Sequence, residues 1–185
     1  MANWVNITMT ITGDIKKIED KLFKDGEFTF NAVEPMPDEL RGTTFPVYDN
    51  KNEEELIKKY GYSNWYEWCL NNWGVKWDAC ETYIPNKNNG GITISFESPW
   101  SIPEIYLIKL SNTLGKDYEV HIEFIEEQGA EFLGDFTLID GDVVRKDIPE
   151  PWSKEAYERM FEMWDNGEDY EWDQEHAIYV YKEEN

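Results

Sequence analysis

Basic residues are scarce in this chain: 17 lysines and arginines stand against 39 aspartates and glutamates in 185 residues, a formal net charge of −22. Such an excess repels phosphate backbones and anionic lipid surfaces, so direct binding to nucleic acid is disfavoured. Cysteine is nearly absent as well. Cys69 and Cys80 form no CxxC pair, and Met1-Ala2-Asn3-Trp4 shows neither the basic region nor the apolar run of a signal peptide, so a reducing cytosol is the expected location. The two histidines, His121 and His176, stand at separations from these cysteines that match no local zinc spacing, and no metal or cofactor is expected. No window approaches the roughly 18 consecutive apolar residues of a membrane span. GxSxG, phosphate-loop and HExxH motifs are missing too. Carboxylates are so plentiful that a pair of them carries little information, so no catalytic residue is assigned and the chain is read as a non-enzyme.

What is abundant is aromatic. Nine tryptophans, 11 tyrosines and 9 phenylalanines, within a hydrophobic fraction of 41%, give enough apolar surface for one good core despite the charge. Four of the tryptophans fall in Asn64–Asp78. There Asn64 caps a helix and Glu67 answers it three residues on, as in a capping box. Trp65, Trp68, Cys69, Asn72 and Trp73 then share one helical face, and Gly74 supplies the stop.

In chain order, Val5, Ile7, Met9 and Ile11 alternate with polar residues as in a half-buried strand. Asp14 caps a helix with the stripe Ile15, Ile18, Leu22 and Gly26 as its stop. Residues 27–78 read as an insertion, broken by Pro35, Pro37, Gly42 and Pro46, with a polar helix from Glu53 to Tyr60 that turns Leu56, Ile57 and Tyr60 inward. A strand over Ala79–Ile84, ended by Pro85, pairs across the turn 86–91 with Ile92, Ile94 and Phe96. Ser101 caps a largely buried helix closed by Gly115, and Val120, Ile122 and Phe124 form a fourth strand. Strand, helix, strand, strand, helix, strand is the order of an α+β, ferredoxin-like βαββαβ antiparallel sheet. Beyond it, Asp140-Gly141 turns a hairpin within 130–147. Ser153 then caps a helix with Tyr157, Met160, Phe161 and Trp164 inward, and Ile178–Tyr181 offers an edge strand. The expected organisation is a domain over 1–147 with an acidic helix and tail, 148–185, packed on it.

Several motifs carry a resemblance. Met1-Ala2-Asn3-Trp4-Val5-Asn6, Pro35-Met36-Pro37-Asp38-Glu39-Leu40, Asn64–Cys69, Trp73–Asp78, Ser98-Pro99-Trp100-Ser101-Ile102-Pro103 and Glu126–Gly134 together resemble the YubB-like proteins of bacteriophages and plasmids, over roughly residues 1–145. The resemblance implies a ferredoxin-like domain and a mobile-element setting in a bacterium. It brings no catalytic residues, and the C-terminal helix and tail lie outside it.

Charge is concentrated in the last third: residues 126–185 hold 19 acidic and five basic residues, net −14, against net −8 for residues 1–125. Glu155, Glu158, Glu162 and Asp165 line one helical face about 15 Å long at 1.5 Å per residue, close to the rise of about four to five base pairs. With Glu168, Asp169, Glu171 and Asp173 they form a candidate nucleic-acid-mimicking surface, and the expected partner is a host protein with a basic face, such as one that handles nucleic acid or acts in defence. The alternative is a small-ligand or nucleotide pocket in the Trp-rich segment, built from Asn71, Trp73, Lys76, Trp77 and Asp78. A bacterial cytoplasm is the expected location for either.

Overall fold

A computed structural model describes residues 3–46 and 52–182. Met1 and Ala2 of the first motif, and residues 183–185 of the acidic tail, lie outside the described residues. The chain runs β1 (Trp4–Thr12), α1 (Ile15–Leu22), β2 (Phe23–Lys24), β3 (Glu27–Phe28), a 3-10 turn (Phe30–Ala32), α2 (Asp38–Arg41), α3 (Glu53–Tyr60) and α4 (Trp65–Asn72). It continues through β4 (Cys80–Asn88), β5 (Gly91–Pro99), α5 (Glu104–Leu114), β6 (Glu119–Glu126), β7 (Leu133–Ile139) and β8 (Asp142–Asp147). It ends with α6 (Lys154–Trp164), a second 3-10 turn (Gly167–Asp169), β9 (Tyr170–Asp173) and β10 (Ile178–Tyr181).

Six strands form one antiparallel sheet in the order β4-β5-β1-β6-β7-β8. Its register follows from the period-two pattern. Ile7 lies opposite Phe96 on one neighbour and Phe124 on the other, and Met9 opposite Ile94 and Ile122, so a one-residue slip would expose the whole apolar set. These residues join Ile18 and Leu22 of α1 and Tyr106, Leu107, Leu110 and Leu114 of α5 in the main core. The opposite parity is polar: Thr8 meets Ser95 at 3.3 Å, Thr10 meets Thr93 at 3.2 Å, and His121 Nδ1 lies 3.1 Å from Thr137 Oγ1. On that second face Ile125 and Leu133, with Ala130, bury Ala156, Tyr157 and Met160 of α6. Two helices therefore cover one side, and α6 covers a corner of the other.

Several local expectations need correcting. α1 ends at Leu22, and Gly26 instead serves the turn of the small β2–β3 hairpin. Pro85 does not end its strand: β4 runs on to Asn88 at the sheet edge, where a missing N–H is tolerated, with irregular register around Tyr83. Ile57 is 48% exposed and Trp164 38%, so neither points inward. The residue before α5 is Pro103, and Ser101 makes no cap there. β10 pairs with β9 in a separate hairpin and adds nothing to the main sheet.

Candidate functional site

The acidic C-terminal unit is fixed in three ways. Ser153 Oγ accepts from Ala156 N at 3.1 Å, starting α6 at the residue its sequence marks. Gly129, at φ +72, lets the helix approach closely, since a Cβ there would sit 2.3 Å from Met160 Sδ. The third fastening is ionic. Arg159 Nη2 donates to Asp135 Oδ2 at 2.5 Å and its Nη1 to the Asp147 carbonyl at 3.1 Å, while Arg145 lies 3.5 Å from the other Asp135 oxygen. Asp135 is buried, so this pairing neutralises a charge that water does not solvate. Past α6, Phe161, Tyr170, Trp172 and Tyr179 pack edge to face or tilted at 4.9–5.1 Å and hold the β9–β10 hairpin on the helix.

On this support Glu155, Glu158 and Glu162 stand exposed along α6, whereas Asp165, expected on the same helical face, is exposed just past its end as a left-handed C-cap; Glu168, Asp169 and Glu171 are exposed after it. Among the described residues, Lys154 beside Glu158 at 3.6 Å is the only cation within 4 Å of any of these seven carboxylates, while the Lys182 ammonium donates to the Glu168 backbone carbonyl. Asp173 differs. It meets His176 Nδ1 at 2.7 Å and accepts from the backbone of Glu175 and His176, contacts that, the imidazole first, hold its carboxyl below the usual range and make it a turn residue. Exposed apolar side chains are interleaved with the acids: Trp152, Met163, Trp164, Val180 and Tyr181. Aromatic side chains and carboxylates thus share one exposed face.

The Trp-rich segment divides into core and surface. Asn64 Oδ1 accepts from Glu67 N at 2.9 Å, but Glu67 answers to the Ser63 hydroxyl, so only half of the capping box forms. Trp68, Cys69 and Trp73 are buried. Trp73 meets Trp68 and Phe30 edge-on at 5.3 and 5.7 Å, and its indole N–H donates to the Glu34 carbonyl. Asp78 is filled by donors: Phe30 N (2.6 Å), Asn31 Nδ2 (2.8 Å), Ala79 N (2.8 Å) and the Thr29 hydroxyl (2.5 Å). It latches the start of the insertion to its end. Asn71 donates to its own helix at Glu67 O. Trp73 and Asp78 thus have structural partners, while Lys76 and Trp77 lie elsewhere, at the surface: the Lys76 ammonium stands 3.8 Å from the Trp77 ring centre and 3.7 Å from that of Trp100.

A separate groove of about 440 Å³ opens between the α4–α5 region and β7–β8, lined by Leu70, Ile102, Ile105, Phe132, Phe136 and Val143, with Lys146 on its wall. Sequence reasoning missed this groove, because it arises where two strands extend the sheet beyond its helices. It missed Arg159 as well, although a lone arginine next to Met160 on an acidic helix was a readable signal. Trp100 was beyond reach, since only the pairing of Trp4 with Pro99 brings it near Lys76.

The thiols are placed for inertness. Burial and then the Asp78 charge push Cys69 up to about 12, and Cys80 is raised by the same causes in the same order. At pH 8 iodoacetamide should label Cys80 slowly and Cys69 only on unfolding. Peptide mass spectrometry showing native Cys69 labelled as fast as Cys80 would contradict this packing.

A family model described as the ferredoxin-like domain in Api92-like protein matches residues 72–182. Among solved structures, a crystal structure of a protein api92 from Yersinia pseudotuberculosis is similar: it is 11% identical, the alignment covers 81% of this chain and 98% of that one, and the TM-score is 0.48. No curated protein matches. The matched region runs from the end of α4 through β10, and the central strand β1 precedes it. No helix among the described residues is long and apolar enough to cross a membrane.

Proposed function

The chain belongs to the Api92-like family through its ferredoxin-like domain, and from that premise we propose a non-enzymatic binding function, in which the acidic C-terminal face engages a basic surface on another protein. The observation that carries this reading is the rigid display of exposed carboxylates, almost free of neighbouring cations, among exposed Trp152, Trp164 and Tyr181. Like charges held together destabilise the compact state. A cationic partner relieves that repulsion, and the aromatic side chains supply contact area once the charges have steered the encounter.

The finer reading follows from the motifs. The path β1-α1-β4-β5-α5-β6 is the ferredoxin-like unit, with 27–78 inserted and β7–β8 and α6 added. The resemblance to YubB-like proteins supports a mobile-element protein that acts in a bacterial cytoplasm, where it inhibits a host protein whose basic groove ordinarily accepts nucleic acid. In affinity capture from bacterial lysate, a specific partner should be retained at 50 mM salt and lost by 500 mM, because the screening length falls from about 14 Å to about 4 Å over that range. Changing Glu155, Glu158, Glu162 and Asp165 together to Gln should weaken it by roughly tenfold or more, a few tenths of a kcal/mol per charge. Unchanged binding by that variant would count against the proposal. A second reading, a small-ligand protein, draws on the groove beside Leu70 and Phe136, whose volume is in the range of ligand sites.

A further inference from the structure

At the end of the sheet opposite the β4–β5 turn, three tryptophans from distant parts of the chain stand together. Trp4 opens β1 and lies 5.8 Å from Trp77 between ring centres, tilted by 32°. Trp100 follows β5, its backbone N–H bonded to Asn3 O at 2.7 Å. The two outer rings are open to solvent, Trp77 at 39% and Trp100 at 52%. Between them lies the Lys76 ammonium, 3.8 and 3.7 Å from the two centres, close to both faces at once. Trp100 holds its place at φ +69, a conformation that a bulky side chain rarely adopts. Such strain persists only where surrounding contacts impose it, and it is concentrated at functional sites.

Two indole faces on either side of one ammonium form the arrangement by which proteins recognise lysine and quaternary ammonium groups. Here the chain's own lysine fills it. We propose that the Trp77–Trp100 clamp is a binding site for a cationic side chain of a protein partner, a lysine or methylated lysine, and that Lys76 is an intramolecular place-holder displaced on binding. The charge of the molecule favours such an occupant: a net −22 attracts cations, and Glu127, whose N–H donates to Trp4 O, lies at the same sheet end. The place-holder also has a reason. An empty clamp would leave two large indoles exposed to non-specific apolar contacts, whereas a tethered ammonium is exchanged only by a ligand that outcompetes its effective concentration.

This proposal rests on the basic-partner reading above for its biological meaning, but its test needs no partner and can fail on its own. The probe is tetramethylammonium chloride, titrated against sodium chloride at equal ionic strength, while the indole N–H signals of Trp77 and Trp100 are followed by 1H–15N correlation NMR on the full chain. Lys76→Ala should show saturable shifts of both signals, with wild type about tenfold weaker or more because the tethered lysine competes. Adding Trp100→Gly to Lys76→Ala should abolish saturation, and glycine accepts the φ of this position, so the strand end keeps its backbone path. Shifts in Lys76→Ala that are linear and equal to those in sodium chloride would overturn the proposal. So would saturation that survives loss of Trp100.

Discussion

Arg159→Ala is expected to lower stability by about 3 kcal/mol, at the lower end of the cost of breaking a buried ion pair, and to loosen α6 from the sheet. Asp135 is 5% exposed and loses its 2.5 Å partner, keeping only Arg145 at 3.5 Å. The remaining arginine and the partial exposure of Arg159 keep the loss from being larger. A change of that size corresponds to a fall of roughly 6–12 °C in Tm for a domain this long. Hydrogen exchange should locate the effect, with amides of Lys154–Trp164 losing protection while those of β1 change little. Arg159→Met combined with Asp135→Asn should recover much of the loss, since it removes both charges. A single Arg159→Ala variant within about 0.5 kcal/mol of wild type, the range of an ordinary surface substitution, would show that α6 is held by its apolar contacts alone.

Asp78→Ala should cost a similar amount or more, at least about 3 kcal/mol, because four donors lose one acceptor group and hydrogen bonds to a charged group are worth about 1.5–3 kcal/mol each before relaxation and water entry. The donors span both ends of the insertion: Thr29, Phe30 and Asn31 at its start and Ala79 just past its end. Losing the latch frees the Phe30 turn, whose ring stacks on Tyr106 at 4.0 Å and meets Trp73 at 5.7 Å, so tryptophan fluorescence should change with stability. Asp78→Asn should rescue little. The side-chain amide nitrogen only donates, and it would face donors. Urea unfolding measures the difference, and equal midpoints for wild type and Asp78→Ala would refute the latch.

Much of the fold could be read from local chemistry. Asn64 and Ser153 cap the helices their sequences mark, and the alternation through Val5, Ile7, Met9 and Ile11 sets a register that Phe96 and Phe124 complete. Asp140-Gly141 turns its hairpin with both residues at positive φ. What failed depended on tertiary position. Pro85 is acceptable only because β4 is an edge, and Ile57 and Trp164 are exposed because their helices pack along narrower stripes than periodicity suggests. The candidate sites show the same division. The outward carboxylates of α6 follow from helical spacing, whereas the clamp around Lys76 joins residues 4, 77 and 100 through sheet pairing, which no local pattern encodes. Asp78 was readable as a polar residue beside tryptophans, but its four donors lie 1–49 positions away, so its role as a latch was not.

Carboxyl footprinting of the protein alone and with its captured partner tests the working surface most directly. Carbodiimide-driven labelling, read by peptide mass spectrometry, should fall on binding at Glu155, Glu158, Glu162 and Asp165 and stay constant at Glu19 and Asp20 on α1. Unaltered labelling along α6, with protection confined to Glu104 at the Leu70–Phe136 groove, would contradict the acidic face as the contact and move the function to that groove.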